Sequence, residues 1–332
     1  MKMIYTKYRR ELSTLAALIL AIILFSILNN SYLSVSNQVT IIQQAVTYGL
    51  MGIGMTLVIL TGGIDLSVGS GLAFVACVAA QLAKAGMPIW IWMPLCLLIG
   101  FGMGLVNGFL ITKMHLQPFV ATMGTMSVYR GLAYIITGGF PVLGVPQAYR
   151  QPLNAKIGAT LTVSVLYFII FALIIAVMMR KTRLGAHTYA IGGNEEAARL
   201  SGVKTDRCKI LMYAFCMLGT ALAALVMVGR LGTGDPSTGQ GYEMEAIAAA
   251  AIGGTSMTGG RGHVFGTVIG AILFSALKVG LIVLRIDTFY QFVVTGLVIV
   301  LAAYIDILQG RLLVERRGSS VKFKVADAEA KK

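Results

Sequence analysis

The sequence predicts an all-α polytopic membrane protein of about ten transmembrane helices, some of them short or broken. Three observations predict it. Hydrophobic residues make up 57% of the chain and charged residues only 12%, with a mean hydropathy of +0.82. A soluble domain carries roughly 25% charged residues, so this chain lacks the polar residues to clothe a water-facing surface, and lipid must cover much of it. Apolar runs of helix length recur from end to end, and basic residues gather where those runs stop.

The runs lie near residues 12–28, 41–60, 68–82, 89–111, 119–136, 161–179, 210–228, 246–257, 264–284 and 289–307. A full crossing needs about twenty residues. The first run follows Lys2, Lys7, Arg9 and Arg10, as a secretory signal would. No small-residue cleavage site follows it and many apolar runs come later, so it is expected to be a retained first span. The run at 246–257 is too short and too rich in alanine to face lipid, and is expected to be buried among other helices.

Arg180, Lys181 and Arg183 follow one run, and Arg311, Arg316, Arg317, Lys322 and Lys324 follow the last. The positive-inside rule places these regions and the basic N-terminus in the cytoplasm. The expected division is a cytoplasmic N-terminus (1–11), a transmembrane domain (12–308) with a cytoplasmic loop at 180–209, and a cytoplasmic tail (309–332) that is disordered from 318 onward. The stretch 138–158, with Pro141, Pro146 and Pro152, then falls outside, although Arg150 and Lys156 oppose the rule there.

Composition also excludes functions. The formal charge of +14 is spread over the ends of apolar runs with no interleaved aromatics, which is topology and not nucleic-acid binding. Cys77, Cys96, Cys208 and Cys216 form no C-x-x-C pair and read as inert core residues. No P-loop is present, because Lys204-Thr205 follows Val203 where a glycine is required. His115, His187 and His263 stand far apart, with no triad or zinc spacing. The chain is expected to bind no cofactor or metal and to be no enzyme.

Several polar residues interrupt apolar surroundings. Asp65 lies in Thr61-Gly62-Gly63-Ile64-Asp65-Leu66-Ser67, where glycines permit a helix break. It reads as a cap of the following helix with Ser67 beside it, or as a pathway-lining carboxylate, and the two roles are compatible. Arg130, roughly mid-span, either lines the pathway or snorkels. Asn107 and Gln117 read more readily as amides tying helices together, Lys278 as a snorkelling or interface residue, and Glu243 with Glu245 as the outer end of a helix. Ile252-Gly253-Gly254-Thr255-Ser256-Met257 echoes the first glycine pair, and either an internal repeat or two unrelated helix ends explains it.

The charged island at 190–203 stands apart from everything else. A short helix from Glu195 to Ser201 would have Asn194 as N-cap, Glu195 and Glu196 complementing its dipole, and Gly202 as its stop. Ala197, Ala198 and Leu200 would offer a small smooth face to a partner, where an ordinary solvated loop is the alternative.

Glu196-Ala197-Ala198 followed by Gly202 resembles the EAA loop of ABC importer permeases. Thr61 to Ser70, Gly104 to Phe109, Pro118 to Gly139 and Gly253 to Gly266 resemble, in order, the permeases that import ribose, galactose, arabinose, xylose and autoinducer-2. The resemblance covers roughly residues 12–307 and lacks only the proline that other importers carry after the loop.

It implies a permease subunit that moves a monosaccharide or related small solute by alternating access. The segment Asn194, Glu195, Glu196, Ala197, Ala198 to Gly202 would be its cytoplasmic coupling helix, and Asp65, Ser67, Asn107 and Arg130 are the candidate pathway residues. It further implies a separate cytoplasmic ATPase holding ATP and Mg, a second permease subunit in a homodimer or heterodimer, an external sugar-binding protein, and a bacterial cytoplasmic (inner) membrane location. A secondary transporter or channel is the alternative reading; it would need an ion site, for which Asp65 alone is thin support.

Overall fold

The computed structural model describes residues 9–158, 161–287, 289–301 and 304. Among the described residues, each of the ten apolar runs overlaps a helix. In chain order these are α1 (Arg9–Leu28), α2 (Val35–Leu60), α3 (Val68–Lys84), α4 (Ile89–Thr112), α5 (Pro118–Thr137), α7 (Val163–Lys181), α10 (Thr205–Leu231), α11 (Tyr242–Ile252), α12 (Val264–Val283) and α13 (Phe289–Leu301). Three helices lie between the spans: α6 (Gln147–Asn154), α8 (Arg183–Gly193) and α9 (Glu195–Leu200). A single 3-10 turn, Asn30–Leu33, joins α1 to α2, and a two-stranded ribbon, Lys156–Ile157 with Leu161–Thr162, precedes α7.

Among the described residues, α2, α4, α7, α10 and α12 are long and apolar enough to cross a membrane, with α3, α13 and the 12–28 part of α1 shorter apolar helices. The basic tail from Arg311 and the N-terminal Lys2 and Lys7 lie outside the described residues.

The bundle is organised around α2 and α10. Every residue of α2 from Ala45 to Leu60 is buried, and α10 packs against α2, α3 and α4. Close approach requires small residues. Gly100, Gly104 and Gly108 share one face of α4, and a Cβ at Gly104 would stand 2.3 Å from the Tyr213 carbonyl oxygen of α10. This small-residue stripe is how helices associate where lipid is as apolar as leucine. The opposite faces carry exposed Leu20 and Ile27 on α1, Leu98 on α4, Ile135 on α5 and Leu173 on α7.

The short helix α11 is buried as expected, with Ala246, Ala248, Ala249 and Ala250 fully covered by α2 and α12. The segment 138–158 is less open than a plain loop. It pairs with the end of α10 through Val142 and Gly234, and Arg150 donates to the carbonyls of Gly229 (3.2 Å) and Arg230 (3.0 Å). A cation at a helix C-terminus satisfies orphan carbonyls and complements the dipole, which gives Arg150 a structural place at the end of α10.

Candidate functional site

The helix α9 is defined by its ends. Asn194 adopts extended backbone and its Oδ1 accepts from the Ala197 N–H at 2.9 Å. At the other end the Val203 N–H reaches the Ala198 carbonyl and the Gly202 N–H reaches Arg199, with Gly202 at φ +84°, a Schellman stop that favours glycine. One ion pair ties it to α10, Glu195 to Lys209 at 2.5 Å, and a second lies within α9 itself, Glu195 to Arg199 at 3.7 Å.

One face of α9 differs from expectation. Ala198 is turned inward against Ile191 and Cys208, anchoring a six-residue helix beside α8 and α10. The outward face is Glu196, Ala197 and Leu200, the last 84% exposed.

Behind α9, α8 touches both helix breaks of the bundle. The end of α2 is a Schellman turn, with Gly63 N–H to Val58 O, Gly62 N–H to Ile59 O and Gly62 at φ +82°. The end of α11 repeats it, with Thr255 N–H to Ala250 O, Gly254 N–H to Ala251 O and Gly254 at φ +85°. The two breaks meet where the Gly260 N–H donates to the Leu60 carbonyl at 3.0 Å. Gly192 of α8 sits on that bond, with room for no Cβ. Tyr189 of α8 donates its hydroxyl to Gly262 O at 2.8 Å, and burial pushes its pKa up, so the phenol keeps its proton.

The break after α2 carries Asp65, which is fully buried. Its Oδ1 accepts from the Ser67 N–H (2.9 Å) and Ser67 hydroxyl (2.6 Å), and the Asn107 amide donates to both carboxylate oxygens at 3.2 and 3.1 Å. Asn107 also donates to Ser67 Oγ at 2.8 Å, and its Oδ1 accepts from the Tyr129 hydroxyl at 3.3 Å. Ser67 rather than Asp65 occupies the N-cap position of α3, and the carboxylate closes a turn ahead of it. Asp65, Ser67 and Asn107 form one cluster held by neutral donors; among the described residues no cation pairs with Asp65.

Arg130 does not join that cluster. It is half-buried, and its Nη1 donates to the carbonyls of Pro236 (2.5 Å) and Thr238 (2.6 Å), tying α5 to the connection between α10 and α11. Gln117 is exposed at the N-cap position of α5, where its side chain makes no cap hydrogen bond. The four cysteines are buried and free, and no group of three or more metal-ligating side chains is found among the described residues.

Residues 37–303 match the family model described as "Branched-chain amino acid transport system / permease component". The chain belongs to that permease family. It is 40% identical over 298 residues to the ribose import permease protein RbsC of Bacillus subtilis, covering 90% of this chain and 92% of that one. It is 36% identical over 293 residues to the D-allose transport system permease protein AlsC of Escherichia coli (87% and 89% covered), and 33% identical over 323 residues to the autoinducer 2 import system permease protein LsrC of Yersinia enterocolitica (96% and 88%). No solved structure matches it significantly. The permease is therefore a multi-pass membrane protein, and a permease component is not itself an enzyme.

One polar group of the permease lies deeper than the sequence suggests. Glu243 and Glu245 stand at a helix end, in the first turn of α11, and both are buried there. Lys278 is an interface residue and does not snorkel. Its ammonium pairs with Glu245 and hydrogen-bonds the Tyr48 hydroxyl at 3.2 Å, with both charged side chains at most 19% exposed. The partners are 33 residues apart in the chain, and a buried charge remains buried only when paired. A lysine in an apolar run together with two carboxylates in the preceding helix was the available signal.

Proposed function

We propose that this permease is the transmembrane subunit of an ABC importer for a monosaccharide or closely related small solute, in the cytoplasmic membrane of a bacterium. The observation that carries the reading is the α8–α9 unit: a capped, charge-pinned helix presenting Glu196, Ala197 and Leu200, with its backbone seated on both helix breaks. The names of the ribose, allose and autoinducer 2 import relatives support the solute class.

The proposed partners are a cytoplasmic ATPase binding ATP and Mg, a second permease subunit, and an external binding protein that delivers the solute. A closing ATPase pair pushes on α9, α8 moves with it, and the two breaks at Leu60 and Gly260 shift together. Transport then requires that the partners bind the two states unequally, because a ligand of equal affinity for both shifts nothing. Asp65, Ser67 and Asn107, at the break after α2, are proposed to hold one of those states, and Arg130 to brace α5 beside them. The solute path is proposed to lie within 12–308, with 1–11, 180–209 and 309–332 in the cytoplasm.

Co-purification tests the reading. The tagged permease is expected to bring down a nucleotide-binding ATPase whose hydrolysis rises on adding a solute-loaded binding protein. Uptake that follows an ion gradient with no ATPase present overturns it in favour of a secondary transporter.

A further inference from the structure

A groove of about 680 Å3 opens where α4 ends, α5 begins and α9 meets the start of α10. Five cations line it: Lys113, Arg199, Lys204, Arg207 and Lys209. The lining holds only two carboxylates, and both are engaged. Asp206 pairs with Lys113 at 2.6 Å, while Glu195 pairs with Lys209 at 2.5 Å and Arg199 at 3.7 Å. Lys204 and Arg207 are exposed and have no acidic partner among the described residues. The helices add charge of the same sign. Gln117 and Lys204 occupy the N-cap positions of α5 and α10 without a side-chain cap hydrogen bond, so the positive ends of two long helices also stand at the groove. Such a concentration of positive charge attracts an anion.

The surroundings indicate which anion. Helices α4 and α10 are long and apolar enough to cross a membrane, so the ends that meet here place the groove at the bilayer surface. Leu116 and Pro118 lie in its wall, and α5 continues away from it with Phe119, Val120 and Met123 exposed. A soluble phosphate has no contact to make with that apolar stripe. A phospholipid does, because its acyl chains lie along the spans while its headgroup sits at their ends, and basic pockets between spans are known to take anionic headgroups. The outward face of α9 stays clear. Glu196 and Leu200 are turned about 100° round the helix from Glu195 and Arg199, so a lipid in the groove and a protein on α9 are compatible.

We propose that this groove holds the phosphate headgroup of an anionic phospholipid, with Lys204 and Arg207 as its principal contacts and an acyl chain along Phe119 and Met123. The site is independent of which solute the permease carries. It is separate from the Asp65 cluster.

Native mass spectrometry of the full-length permease, with phosphatidylglycerol or zwitterionic phosphatidylcholine added, tests the proposal. The wild type is expected to retain phosphatidylglycerol in preference. Replacing Lys204→Gln and Arg207→Gln together is expected to weaken that retention about 25-fold, at about fivefold per cation. Arg180→Gln with Lys181→Gln, which removes two exposed cations outside the groove, should leave it at the wild-type level. Equal retention by the two double variants, or a wild type that does not distinguish the lipids, overturns the site. Displacement of the lipid by an equal concentration of inorganic phosphate also overturns it, and assigns the groove to a soluble anion. Loss of ATPase co-purification in the Lys204 and Arg207 variant with lipid retention unchanged overturns it in favour of a protein partner.

Discussion

Two adjacent glycines at the end of α8 are expected to respond oppositely to the same substitution. A Cβ at Gly192 would stand 1.9 Å from the Leu60 carbonyl oxygen and 2.3 Å from the Gly260 nitrogen, whereas a Cβ at Gly193 meets nothing within 4 Å. Ordinary contact begins at 3.4 Å, so Gly192→Ala forces the two breaks apart by about 1.5 Å. Overpacking of this kind costs about 1–3 kcal/mol. Loss of the Gly260 to Leu60 hydrogen bond adds about 1–3 kcal/mol if both groups stay buried. Coupling free energies between sites are typically about 1–3 kcal/mol, so the perturbation is as large as the signal it interrupts.

The assay is ATP-driven uptake normalised to assembled complex, with co-purified ATPase as a control for docking. Gly192→Ala is expected to bind the ATPase, because α9 is untouched, and to lose at least about tenfold in uptake per complex, the equivalent of about 1.4 kcal/mol. Gly193→Ala should remain within about twofold of wild type, as exposed substitutions do. Equal uptake by the two variants would refute the claim that α8 transmits motion to the breaks.

Three further outcomes follow from the same geometry. Glu196→Lys, on the outward face, should abolish ATPase co-purification while leaving membrane insertion intact, and Gly202→Trp should do the same by straining the positive-φ stop; retained binding and transport by both would remove α9 from the docking surface. Asp65→Ala strands the Ser67 N–H, and leaves the Asn107 amide with Ser67 Oγ alone, at a cost of about 1–3 kcal/mol and should lower the Tm of the purified protein, whereas Asp65→Asn should slow uptake per complex more than it lowers protein level; an unchanged normalised rate would return Asp65 to a structural duty. Reporters fused after Arg183 should read cytoplasm and one between Pro141 and Pro152 should read the external side, and a cytoplasmic signal from the latter would break the proposed topology.

The spans were legible because lipid-facing and buried helices alike are written in apolar residues. Their ends were less so. α10 begins at Thr205 rather than 210, since its first turn, with Asp206 and Lys209, is polar and escapes a hydropathy reading. α2 begins at Val35 because Ser34 accepts from Asn37 N–H, a cap that periodicity does not weigh. Asn194, Gly202 and Gly62 were readable because caps and stops act within a few residues. The pairing of Lys278 with Glu245 and the reach of Arg150 to the end of α10 depend on segments distant in sequence, which local pattern cannot bring together.

The central claim, that this chain is the membrane path of an ATP-driven sugar importer, is tested most directly by reconstituting it with its ATPase and binding protein in vesicles that carry no ion gradient. Accumulation of a labelled sugar that requires ATP and stops when the ATPase is omitted is the predicted result. Sugar entry that proceeds at the same rate without the ATPase would contradict it.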